Sequence, residues 1–386
     1  MNGPVSRVGQ TDMTMPPLAS KVCEVGPAIN SIATALGENK EMLRYRYNRY
    51  ILGNRMSVHA VPNYRRLGLS RALVVASFPP EAPSNIWLKD LFNRVAEQNY
   101  IMSFERAIQD GYNLPPREWL FSIAYPKGRD GELSYYLNRL IRTGILSKAL
   151  LHTFDKFDVI AMRADCYDFM VNRWNVRLDN ERPSDDHIID QECTERCEFD
   201  KVDLMIIKAL QADANTNLSD IHVPNVSYKT LTWHWREHVT KRGMIDGYRI
   251  NWLSSGYNQS TGLASRHQFR YQRIDLLVKN TSTTERQELA HWAHKIPFLW
   301  LEAVGTDYYA KLAVPVEITN EFNGFLRAMT ERVSGRARIM LMDQASAFSY
   351  AINPDLYMPS EYAWVFNGKK LEAAASKITP TYKARA

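Results

Sequence analysis

The chain contains a weak copy of itself. Residues 31–53 (SIATALGENKEMLRYRYNRYILG) and 219–243 (SDIHVPNVSYKTLTWHWREHVTKRG) align on Asn39 and Ser227, which places Leu43 on Leu231, Tyr45 on Trp233 and Tyr47 on Trp235. The offset, 227 − 39 = 188 positions, is about half of the 386 residues. A repeat this long means that each copy is a folding unit and that whatever one copy builds is expected again in the other.

Each copy reads as a helix-turn-helix. In the second, Asp200 is placed to cap a helix whose Val202, Ile206, Ile207 and Leu210 share one apolar face. A short helix near Leu218–Ile221 is stopped by Pro224-Asn225, Ser227 caps a third helix to about Lys241, Gly243 ends it, and 244–250 reads as an extended wing. In the first copy Ile29, Ile32, Ala33 and Leu36 make the middle helix, Gly37 the turn, and Asn39 the cap of the third helix.

After each unit the period changes from helix to strand. From Tyr271 the order is strand, helix (282–296), strands 298–304 and 308–316, helix 317–333 and strand 337–350. The first half repeats it with strands 72–78, 100–108, 119–125 and 156–162 and helices 85–98 and 132–144, interrupted by a polar insertion at 109–118. The predicted fold class is therefore α+β. Two winged helix-turn-helix domains (20–66 and 199–252) alternate with two ferredoxin-like βαββαβ domains (70–170 and 268–352), with a linker at 171–198 and a C-terminal extension at 353–386. The two βαββαβ domains are expected to pair sheet to sheet within one chain.

Composition narrows the function classes. Hydrophobic residues at 45% and charged residues at 23% are globular values, and there is no apolar run of transmembrane length or signal-peptide character, so a soluble cytoplasmic protein is expected. Four cysteines cannot staple a chain of this size, and Cys193, Cys197 and His187 lack the second ligand pair of a zinc site. No nucleophile constellation, phosphate loop or complete metal site is legible, so neither a catalyst nor a cofactor is expected.

The net charge is +6, and between Asn39 and Arg66 seven basic residues face one acid, Glu41, an excess of the same size. Such concentration on one small module is the electrostatic footprint of a DNA reader. The expected duplex-DNA contacts are Lys40, Arg44, Tyr45, Arg46, Arg49 and Arg55 in the first copy, with Arg44 and Arg46 on guanine edges. In the second they are Ser227, Tyr228, Lys229, Thr230, Thr232, His234, Arg236, Lys241 and Arg242. A plain solvated helix face is the alternative reading of the same charges.

These residues resemble a known family. Phe199-Asp200-Lys201-Val202-Asp203 through Leu210, Val226–Thr230 and Gly243–Tyr248, with Leu43–Arg49 in the first half, are similar to the N-terminal domain of Lrp/AsnC transcriptional regulators, above all archaeal ones. The resemblance implies a sequence-specific transcriptional regulator, not an enzyme, working as an intrachain pseudo-dimer on an asymmetric operator. It also implies an amino-acid-like effector at Gly305, Thr306 and Asp307, residues that otherwise read as a strand-connecting turn. The rival expectations are a haem-biosynthesis enzyme, since sirohaem decarboxylases resemble the same two-domain architecture, and a non-catalytic adaptor. His291 and His294 share one helical face, for which a structural role is expected.

Overall fold

The computed structural model describes residues 15–53, 56–79, 100–108, 117–160, 166–168, 173–174, 196–251, 271–294, 296–333 and 335–366. The helix expected at 85–98, most of the 109–118 insertion and of the 171–198 linker, and Arg55, His187 and Cys193 lie outside them.

Three helices open the chain: α1 (Met15–Val25), α2 (Ile29–Leu36) and α3 (Lys40–Tyr47), the last running on as a π-helical turn over Asn48–Leu52. The Asn39 side chain accepts from the Glu41 and Met42 N–H groups, and Gly37 turns at φ +65°, so the chain reverses where the sequence predicts it. Leu43, Tyr47 and Ile51, each a turn apart, pack on Leu18, Val22 and Ile32 as a separate small core. Strand β1 (Ser57–Pro62) follows.

Next come β2 (Leu69–Phe78), β3 (Ile101–Ile108), β4 (Arg117–Pro126), α4 (Asp130–Arg142) and β5 (Lys148–Val159), then the two-residue strands β6 (Tyr167–Asp168) and β7 (Arg173–Trp174). Asp130 and Glu132 in the first turn of α4, and Arg139 and Arg142 in its last, complement the helix dipole. The second helical unit has α5 (Lys201–Ala212), where Asp200 and Asp203 form a reciprocal capping box. A 3₁₀ turn at Leu218–Asp220 precedes α6 (Tyr228–Trp233), which runs on as a π-helical segment over His234–Thr240, and β8 (Ile245–Asn251) ends the unit. The wings β1 and β8 pair antiparallel with each other, tying the two helical units together.

The second half supplies β9 (Tyr271–Val278), α7 (Thr283–His294), β10 (Leu299–Gly305), β11 (Tyr308–Pro315), α8 (Thr319–Glu331) and β12 (Ala337–Ser349). A hairpin of β13 (Tyr357–Met358) and β14 (Ala363–Trp364) then docks back, with Trp364 Nε1 donating to the Leu67 carbonyl and Tyr100 Oη donating to the Val365 carbonyl. Among the described residues no helix is long and apolar enough to cross a membrane.

Eight strands form one closed barrel in the order β10-β11-β9-β12-β3-β4-β2-β5. Within each half the order is the same, second–third–first–fourth. This corrects the expectation of two ferredoxin-like domains facing each other sheet to sheet: the half-sheets join at their edges. Both seams are made by a half's last strand. The N-terminal part of β5 pairs with β2 and its C-terminal part with β10, while β12 pairs first with β9 and then with β3. Closure leaves the barrel no unpaired edge; β5 starts at Lys148 rather than at the predicted 156 because 148–154 pair with β2 of the same half. An isolated four-stranded unit would leave exposed the edges that β5 and β12 cover here.

Candidate functional site

Alternation along the barrel strands decides which side chains face inward. On β9, Ile274, Leu276 and Val278 join the core under α7 and α8, so Arg273, Asp275 and Leu277 point into the barrel. By the same rule β11 sends Tyr308, Ala310 and Leu312 outward to that core and Tyr309 and Lys311 inward; β2 sends Ala72, Val74 and Ala76 outward and Arg71, Leu73 and Val75 inward. An eight-stranded barrel is narrow enough for side chains to fill it, and most of this interior is apolar: Leu73, Val75, Leu120, Leu277, Leu301, Met340 and Met342.

Set in that apolar interior is a group of ionisable residues at the β12–β3 seam. Glu105 accepts from Lys311 and forms an ion pair with Arg273 (Nη2–Oε2 2.6 Å), Asp275 lies 4.0 Å from the Lys311 ammonium, and Tyr309 Oη donates to Asp275 Oδ2 at 2.5 Å. Glu105 and Asp275 are 2% and 0% exposed, so these charges have left water almost completely. Burial would raise the Glu105 pKa, but Lys311 and Arg273 outweigh it and hold this carboxyl below the usual range. Asp275 goes the other way: burial pushes it up to about 7, against the pull of Lys311 and with the help of the Glu105 charge. One carboxylate is thus a fixed counter-ion and its neighbour exchanges a proton near neutral pH.

Positive charge is in excess here. Trp300 has the Arg273 guanidinium 4.5 Å, the Arg249 guanidinium 4.8 Å and the Lys311 ammonium 5.8 Å from its ring centroid. Three cations share one indole while a single carboxylate is held firmly ionised. Arg249 shows the strain of this crowding, its pKa lowered to about 10 by burial and then by Arg273. Among the described residues Arg273 Nε and Asp275 Oδ1 are buried without a hydrogen-bond partner. Groups left so cost about 1–3 kcal/mol each, and their chemistry suits a ligand that brings carboxylate oxygens and hydrogen-bond donors.

The opposite seam, β5 with β10, is built differently. His152 Nδ1 lies 2.5 Å from Asp307 Oδ2, and the Asn280 N–H donates to Asp307 Oδ1. At Gly305 the two halves approach closely: a Cβ there would come within 2.7 Å of the Thr153 carbonyl oxygen. Gly305 and Asp307 therefore join the barrel halves, Asp307 through His152, while the Thr306 carbonyl accepts from Thr281 of its own half. Further along, Arg71 lies 3.8 Å and 4.2 Å from the Phe157 and Tyr64 ring centroids and donates to Ser122. His294 pairs with Glu302, whose hydrogen bond raises its pKa against burial.

The expected DNA-reading residues divide between paired and surface positions. Arg44 is paired with Glu41 (2.7 Å), and Arg46, with its side chain only 17% exposed, is paired with Glu38 (2.5 Å), an acid one residue before the basic run. Arg49 donates to the exposed Tyr45 hydroxyl, and Lys40 is exposed. In the second copy Ser227 is used as a helix cap, Thr232 Oγ1 bonds back to the Tyr228 carbonyl, and His234 is buried on Asp203. Lys241 pairs with Glu237 and Arg242 donates to the Glu198 carbonyl, which leaves Tyr228, Lys229, Thr230 and Arg236 at the surface. The excess read from the sequence is thus reduced by neighbouring carboxylates and by the fold's own carbonyls.

Sequence reasoning missed the barrel interior. Arg273, Asp275 and Lys311 alternate with apolar residues, the usual mark of a solvent-facing strand side; only closure of the barrel buries that side. Glu105 comes from the other half of the chain.

No family model and no curated protein matches this sequence. Among solved structures, the sirohaem decarboxylase NirDL is similar over 94% of this chain and 98% of its own, at 10% identity and a TM-score of 0.51. Its co-complex with an iron-uroporphyrin III analogue matches over the same shares at a TM-score of 0.49. The leucine response regulatory protein LrpA of Mycobacterium tuberculosis covers 37% of this chain and 90% of its own, at 16% identity and a TM-score of 0.24. The full-length likeness is one of fold, to an enzyme. That finding stands against three expectations: a DNA-binding transcriptional regulator, a protein without catalytic activity, and duplex DNA as principal partner.

Proposed function

We propose that the chain is a cytoplasmic enzyme that binds a carboxylate-bearing tetrapyrrole of the sirohaem class at the Trp300 end of the barrel and removes carbon dioxide from one of its side chains. We further propose that its halves arose by duplication, each pairing a winged helix-turn-helix unit (20–66, 199–252) with a ferredoxin-like unit (70–170, 268–352) of the Lrp/AsnC type. The repeated strand order supports the duplication, and the decarboxylase fold over nearly the whole chain supports the activity.

The observation that carries the reading is the cation excess around Trp300 beside a proton-exchanging carboxyl. Arg249, Arg273 and Lys311 hold and orient peripheral carboxylates, with bidentate geometry available from the guanidinium groups. Decarboxylation breaks a carbon–carbon bond and leaves an electron pair on the substrate carbon, which a proton must take up. Asp275, with a pKa of about 7 and backed by the Tyr309 hydroxyl, is suited to deliver it. The apolar lining, Leu277, Leu301 and Met340 among it, excludes water from the departing carboxylate.

The test is direct. The protein is incubated anaerobically with sirohaem and the product is weighed by mass spectrometry. Loss of carbon dioxide from the substrate, abolished by Asp275→Asn, is expected; unchanged substrate after many enzyme equivalents of time contradicts the proposal.

A further inference from the structure

A second cluster of ionisable groups lies far from the barrel lumen in sequence and serves no step above. We propose that Asp203, His234 and His238, with Asp200 completing the shell, hold one divalent transition-metal ion of the zinc class, clamping the third helix of the second helical unit onto α5.

The geometry is that of a converging donor set. His234 Nδ1 lies 2.8 Å from Asp203 Oδ1, His238 Nδ1 lies 3.0 Å from Asp203 Oδ2, and Asp200 Oδ1 lies 3.7 Å from His234 Nδ1. All four donor atoms fall within 4.8 Å of one another. Zinc bonds of about 2.0–2.2 Å in a tetrahedron put donors roughly 3.4 Å apart, so small side-chain rotations accommodate an ion. Imidazole with carboxylate is a zinc-type donor set. The centre of the group is buried, with Asp203 0% and His234 7% exposed, while Asp200 opens toward solvent. The imidazole rings stand 4.9 Å apart and nearly perpendicular, each presenting its Nδ1 to one carboxylate. Both imidazoles lie on the π-helical segment that begins at His234.

The fold does not require the cluster. Under the 188-residue offset, Asp203, His234 and His238 correspond to Met15, Arg46 and Tyr50, yet the first copy also caps a third helix that runs on into a shorter π-helical turn at Asn48–Leu52. Bringing two imidazoles to one buried carboxylate is thus a property the second copy alone acquired. The site is independent of the tetrapyrrole reading, and its failure would leave that reading untouched.

The full chain, stripped with a chelator, is titrated with Co²⁺ alone and then with Zn²⁺. One equivalent of Co²⁺ is expected to raise a visible d–d band that Zn²⁺ displaces, and His234→Gln and His238→Gln are each expected to weaken Zn²⁺ binding by at least 10-fold. On the wild-type chain, Zn²⁺ is expected to protect His234 and His238 from diethyl pyrocarbonate while the exposed His222 still reacts. Absence of the one-equivalent band, retention of wild-type affinity by either variant, or equal labelling with and without Zn²⁺ overturns the proposal.

Discussion

The two halves of the barrel place different chemistry at matching positions. With Arg71 on β2 equated to Arg273 on β9, the registers run in parallel: Leu73 opposite Ser122 corresponds to Asp275 opposite Lys311, and Val75 opposite Leu120 to Leu277 opposite Tyr309. The same comparison equates Glu105 with Ala303. One half thus lines the lumen with Leu, Ser and Leu, and the other with Asp, Lys and Tyr. The Glu105 counter-ion is lent across the seam. Under the proposed duplication, backbone geometry is kept while inward-facing side chains diverge, and at these matched positions the second half carries the ionisable groups that the proposed chemistry uses.

The comparison breaks most easily at Glu105. Glu105→Leu leaves Lys311 and Arg273 buried without a firm counter-charge and should cost about 3–5 kcal/mol, read from urea unfolding; adding Lys311→Met should recover most of it. A single-variant loss below about 1 kcal/mol would mean that water reaches the seam. Asp275 supplies a pH signature. Its carboxyl is raised from 3.8 to about 7 on folding, so the native state holds the extra proton, and stability should fall as pH rises through that window. Asp275→Asn should flatten the slope in thermal melts, whereas the matching first-half position, Leu73, contributes no such slope.

At the other seam Gly305→Ala forces a Cβ against the Thr153 carbonyl and should cost about 1–3 kcal/mol of overpacking, measured by the same denaturation. The smallest effects lie in the helical units: Asn39→Ala and Ser227→Ala should each cost about 1 kcal/mol, with Asn39 the larger because its side chain accepts from two N–H groups against one. Equal losses at both caps would remove that distinction.

Local chemistry was legible from residue order, and non-local closure was not. The caps at Asn39, Asp200 and Ser227 and the turn at Gly37 depend on a few neighbouring residues, and they stand where expected. The strands were visible from their period, but which edges join depends on residues such as Phe154 and Gly305, 151 positions apart (305 − 154). Without closure, the Arg273–Asp275–Lys311 alternation looks like an exposed sheet face. Glu38 lies just outside the basic run yet reaches Arg46, a pairing that a charge count over 39–66 does not include. The Asp203–His234–His238 group was hidden for the same reason, since its acid and its first imidazole are 31 residues apart.

The most direct test rewrites the chemical half in the residues of the other. Sirohaem is titrated by absorbance into the wild-type chain and into Asp275→Leu/Lys311→Ser/Tyr309→Leu, with far-UV circular dichroism confirming that both fold. Saturable spectral change in the wild type, lost in the triple variant, is the predicted result. Identical titrations, or no change with either protein, would contradict the assignment of the barrel interior as the binding site.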